Sequence, residues 1–213
     1  MPTLTTKTEL HEFLQTARET LLWKLEGLSE FDVRRPLTPT GTNLLGLVKH
    51  LAGGEFAYFG DTFGRPGGES LPWLGPDAAP NAGMWATPDE SRDDIIALYR
   101  RAWAHADDTI RALPLHATGQ VAWWPAGWNT VTLRHIMIFV LNETQRHVGH
   151  ADIVRELIDG SAGLRPGNAN LPPGDSASWA RHHDRVLAAA QAASEAGATR
   201  DGHLVVGRSA AKP

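Results

Sequence analysis

Residues 132–160 read TLRHIMIFVLNETQRHVGHADIVRELIDG, and this run decides the fold. At 3.6 residues per turn, Ile136, Val140, Glu143, His147, His150, Val154 and Ile158 fall in one sector of a single helix. The stripe is apolar at both ends and carries a carboxylate and two imidazoles in its middle, facing the expected core. Burying an ionised Glu beside imidazoles is costly unless something pairs with it. A divalent cation does so with the ligand types such ions favour. The helix is expected over about Val131 to Leu157, with Gly160 supplying the left-handed residue after its end.

Other amphipathic segments surround this one. Thr6-Lys7-Thr8-Glu9 reads as a capping box, followed by Leu10, Phe13, Leu14, Ala17, Leu21, Leu25 and Leu28 at helical spacing up to about Gly27. After a Pro/Thr-rich loop from Arg35 to Gly41, a second helix is expected over about Asn43 to Phe63. Thr87-Pro88-Asp89-Glu90 reads as the start of a third, with Ile95, Tyr99, Ala102, Ala106, Ile110 and Leu113 on its apolar side. Between these lie a Gly/Pro/Asn-rich excursion from Gly64 to Pro88, which suits a lid, and a Trp-containing irregular connection from Pro114 to Thr130. A shorter amphipathic helix from about Ser176 to Ala196 is expected to dock Trp179, Val186, Leu187 and Ala190 on the rest. Strand alternation is nearly absent. The pattern implies an all-α fold, a four-helix bundle with an added C-terminal helix and two irregular Trp-containing loops. One domain is expected over 1–197, followed by a loosely ordered tail over 198–213.

Composition narrows the chemistry. The chain has 213 residues, 42% of them apolar, enough for one substantial core. No apolar run is long enough to span a membrane, and MPTLTTKTEL lacks the features of a signal peptide, so a cytoplasmic protein is expected. A formal charge of -4 with scattered Lys and Arg disfavours nucleic acid and membrane partners. Cysteine is absent, which removes disulfides, thiolate ligands and a Cys nucleophile; sulfur chemistry would need a thiol from outside. Phosphate-cradling, dinucleotide-binding and serine-hydrolase motifs are also missing. Of the eight Trp residues, Trp85, Trp123, Trp124 and Trp128 sit in or beside connecting segments, where they would wall a pocket or cap a small core.

Glu143 and His147, four residues apart, can reach one ion from one helix face. A third ligand from His150 would crowd one side of that ion, whereas bundle sites usually recruit from facing helices. His50 on the second helix is the better candidate, because Gly46, Gly53, Gly54 and Ala57 share its face and leave room for an ion or ligand. The plainer account is that these small residues allow close helix packing and that His50 bonds a backbone carbonyl. A buried salt bridge from Glu143 to Arg134 or Arg146 is the plainer account of the carboxylate, though both arginines point away from the stripe. Two imidazoles and a carboxylate match catalytic zinc sites that keep one position open. His105, His116, His135, His11, His182 and His183 carry no site role in this reading.

LVKHLAGGE around His50, together with the 132–160 run, resembles the DinB superfamily of metal-binding helical bundles. The likeness is greatest to the branch related to mycothiol-dependent maleylpyruvate isomerase and mycothiol S-transferases, and it covers about residues 5–197. The resemblance implies an up-down-down-up bundle holding zinc or nickel through His50, Glu143 and His147. Many relatives carry His at the position of Glu143 and Gln at that of His150; His150 is thereby implied to support a ligand or face substrate. The implied function is a divalent-metal-dependent enzyme that activates a mycothiol-like thiol for transfer to, or isomerisation of, a small electrophile. A thiol-independent metal-assisted hydrolase or isomerase, or a non-catalytic metal or small-molecule binder, remains the alternative. Expected partners are a thiol and a small-molecule substrate, with a homodimer as the assembly.

Overall fold

The computed structural model describes the backbone of residues 5–206 and side chains through residue 196. It contains α1 (Thr6–Trp23), α2 (Glu30–Arg34), α3 (Leu44–Glu55), α4 (Arg92–Ala112), α5 (Leu133–Asp159) and α6 (Ser176–Val206), with one antiparallel pair, β1 (Thr118–Gln120) and β2 (Thr130–Thr132). Contacts divide it into two compact units, Met1–Asn170 and Leu171–Pro213. The structure is mostly helical, as expected. Among the described residues, no helix is long and apolar enough to cross a membrane.

In the first unit α1 packs chiefly on α5, and α3 on α4 and α5. Buried Leu21, Leu25, Leu44, Leu45, Val48, Leu51, Tyr99, Ala102, Ala151 and Val154 form one apolar cluster, and Leu14, Phe59, Ile110, Leu133, Ile136, Met137 and Val140 form another. Helices α3 and α4 bury the apolar positions their periodicity marked, and α1 does so except at Phe13, which is exposed.

Helix starts differ from the expected ones. Thr5, not Thr6, caps α1, its hydroxyl accepting from the Thr8 amide. Thr87–Glu90 closes a turn: the Thr87 amide donates to the Glu90 carboxylate at 2.8 Å, while Ser91 caps α4 by accepting from the Asp94 amide. Two consecutive capping sequences stand here; the second starts the helix, and the Glu90 carboxylate of the first also pairs with Lys49 at 2.7 Å. Helix α2, capped by Ser29, was not anticipated; nor was the β1–β2 pair, which is too short for alternation to register.

Chain beyond α3 continues to Phe63, but as a π-helical turn at Phe56–Gly60 and a 3-10 turn at Asp61–Phe63. The excursion over 64–88 is anchored along its length. The buried Lys49 amino group donates to the Trp85 carbonyl and lies over the Trp73 ring at 4.4 Å; Asn43 donates to the Met84 carbonyl. Gly46 makes this close approach possible, because a Cβ there would stand 1.8 Å from the Met84 carbonyl oxygen.

In the second unit, α6 exposes Trp179, Val186 and Leu187. The expected tail over 198–213 falls on residues whose side chains, and from 207 onward whose backbone, lie outside the described residues.

Candidate metal centre

Buried positions on α5 run through Leu133, Ile136, Met137, Val140, Thr144, His147, Val148, Ala151, Val154 and Arg155. The centre of this face passes near Ala151, so His147 lies inside it, Glu143 at its rim and His150 outside. On a helical wheel Glu143 and His150 stand roughly 80–100° from that centre. His150 is accordingly exposed, which corrects the expectation that it faces the core. His147 is only 6% exposed and Glu143 half-buried.

The three expected ligands come together. One ligand atom from each of His50, Glu143 and His147 lies within 4.8 Å of the others. His147 Nε2 is 3.0 Å and His50 Nε2 3.7 Å from the same Glu143 oxygen, Oε1, and the two imidazoles meet edge to face at 4.9 Å. Ligand atoms around a tetrahedral ion stand roughly 3.4 Å apart, so the spacing and the N/O donor set both suit a divalent cation. Burial, reinforced by the adjacent His50 ring and opposed by Glu143, holds the His147 pKa below the usual imidazole value. The ring is neutral near pH 7, the form in which imidazole binds a metal.

Groups around the triad orient it. His147 Nδ1 lies 3.3 Å from His150 Nδ1, so that side of the ring is engaged while Nε2 faces Glu143. Arg146 reaches within 4.0 Å of Glu143 Oε2, nearer than its place off the stripe suggested, because a long side chain spans one helical turn. Among the described residues no carbonyl bonds the His50 ring; the His105 ring bonds the Arg65 carbonyl at 2.6 Å. His11 pairs with Asp107 at 2.8 Å.

Sequence reading left two neighbouring elements unassigned. Tyr58, carried on the π-helical turn, stands against Phe139 at 4.9 Å, Trp123 at 5.2 Å and Trp124 at 6.0 Å, and thereby walls the approach to His50. A π-turn re-aims side chains by one position, which the 3.6-residue reading cannot register. Glu55, fully buried, gives both carboxylate oxygens to Arg18, at 2.8 and 2.5 Å. Two charges on separate helices are invisible to a pattern confined to one.

A predominantly helical protein with two imidazoles and a carboxylate converging from separate helices defines a candidate metal-binding helical protein. The family profile described as Mycothiol-S-transferase matches residues 9–160, spanning both helices that carry the three residues, and the chain belongs to that family, within the DinB superfamily. A solved structure, the crystal structure of a conserved protein from Enterococcus faecalis, is similar in fold. Its TM-score is 0.57 at 14% identity, covering 75% of this chain and 100% of that one. No curated protein matches the sequence.

Proposed function

We propose that the protein is a divalent-metal-dependent thiol S-transferase that uses a mycothiol-like thiol, with His50, Glu143 and His147 holding zinc or nickel. In this reading α1, α3, α4 and α5 form an up-down-down-up four-helix bundle, and the site lies at its mouth. The observation that carries the proposal is the convergence of the three ligand groups within 4.8 Å in a chain of the mycothiol S-transferase family.

The residues divide the work. His147 offers a neutral imidazole, kept so by burial and turned by His150. His50 adds a second nitrogen from α3, and Glu143 a negative charge that offsets part of the cation's. A divalent cation, when bound, lowers the pKa of a thiol that reaches it, which supplies thiolate near neutral pH in a chain without cysteine. Tyr58, Phe139 and Trp123 set apolar faces beside this position and keep bulk water from the reacting sulfur.

Elemental analysis of purified protein, followed by conjugation of mycothiol to a model electrophile, tests the reading. One divalent ion per chain and a rate above the uncatalysed mixture are expected. A metal-loaded protein that accelerates conjugation of no thiol would overturn it. Turnover with the thiol regenerated would instead indicate isomerisation.

A further inference from the structure

Two spaces flank His50. An inner cavity of about 130 Å³ is lined by His50, Leu51, Gly54, Glu55, Tyr58, Phe139, Val140 and Glu143. An outer groove of about 430 Å³ runs past His50, Gly53, Gly54, Ala57, Asp61 and Trp123. Both are bordered by His50, Gly54 and Tyr58.

Polar groups in the inner cavity are unevenly distributed. Glu55 has both oxygens committed to Arg18, which leaves that wall without a free acceptor of charge. Leu51, Val140, Phe139 and the Tyr58 ring are apolar surface. His50 and Glu143 therefore mark one reactive end of an otherwise apolar space. Its volume matches that of about four waters in the liquid, or an organic fragment of about five non-hydrogen atoms.

Gly54 borders both spaces and adds no side chain to either. A Cβ on Gly53 would meet Leu74 at 3.1 Å and the Trp73 ring nitrogen at 3.3 Å, so packing accounts for that glycine. A Cβ on Gly54 would meet nothing within 4 Å, and its backbone is helical. Helical glycine is less stable than alanine, and no neighbour here requires it.

From this geometry we infer that the inner cavity binds the electrophile, that it selects compact, largely apolar compounds, of which small ketones are the probe, and that Gly54 sets the size limit. The inference rests on the transferase reading of the triad. For an alkyl vinyl ketone the reaction is an addition. A sulfur–carbon bond forms at the terminal alkene carbon, the alkene π bond breaks, the thiol proton ends on the carbon beside the carbonyl, and nothing leaves.

Binding of butanone, hexan-2-one and decan-2-one to the metal-loaded full chain, measured by ligand-observed NMR, tests the pocket without catalysis. Butanone is expected to bind saturably and decan-2-one no more tightly. Gly54→Leu should weaken butanone at least tenfold with metal content and melting temperature maintained; Gly54→Ala should do so less. In conjugation assays, Gly54→Leu should disfavour the longer vinyl ketones most. Failure of butanone to bind, or equal binding to Gly54→Leu, overturns the inference even where mycothiol conjugation proceeds. Ketone binding abolished by Gly54→Leu, without conjugation of any thiol, upholds the pocket and sinks the transferase reading.

Discussion

Three side chains separate a metal-binding role from a merely buried polar cluster. Glu143→Gln keeps the shape of the side chain and removes its charge, so metal retention should fall sharply while the helix stays intact. His147→Ala should abolish retention, because the neutral, buried ring offers the nitrogen least accessible to competing protons. Elemental analysis after dialysis checks both; an undiminished metal content in His147→Ala would place the ion elsewhere. The three residues that converge were legible in the sequence, since a charged residue in an apolar stripe stands out against its neighbours. The exposure of His150 was not. It depends on where the buried face is centred, and the helices packed against α5 decide that.

Among the helices, the 132–160 run splits into two jobs. Its first half carries Glu143 and His147; its second half fastens the end of α1. Arg155 donates to the Lys24 and Glu26 carbonyls, each at 2.9 Å, and forks onto Asp159, while Asp152 accepts from the buried Lys24 ammonium at 2.5 Å and from the Gly163 amide at 2.9 Å. Arg155→Ala orphans these carbonyls and should destabilise by about 2–4 kcal/mol in chemical denaturation. The Arg155 fork holds the Asp159 carboxyl below its ordinary value. A depressed folded-state pKa contributes stability above the unfolded value, near 3.9, that is lost as pH falls through the folded one. Acid titration of stability should therefore show a loss beginning near pH 4, which Arg155→Ala flattens. The glycines of α3 divide in the same way. Gly46→Ala must displace the Met84 backbone and should cost about 1–3 kcal/mol, whereas Gly54→Ala should stabilise by about 0.5–1 kcal/mol.

For the whole molecule, an ion held by His50, Glu143 and His147 would tie α3 to α5 and should raise thermal stability by mass action. At a hundredfold excess over Kd the gain is about 2.7 kcal/mol, or a melting temperature higher by about 5–10 °C, reversed by chelator. Beneath the site, the fully buried Arg18 and Glu55 join α1 to the end of α3, and Asp107 on α4 completes the network at 2.8 Å from Arg18. Burial opposes the Arg18 charge, yet Glu55 and Asp107 hold its pKa above the usual value. Glu55→Gln should lower stability by about 3–5 kcal/mol through the guanidinium it leaves behind. The sequence by itself determined the helical class, most of the apolar faces and the candidate residues His50, Glu143 and His147, because periodicity and charge are local properties of the chain. Tertiary structure alone decided the meeting of His50 with Glu143, the Arg18–Glu55 pair and the π-turn that brings Tyr58 to the cavity. Each of these depends on atoms far apart in the chain that only packing brings within contact distance.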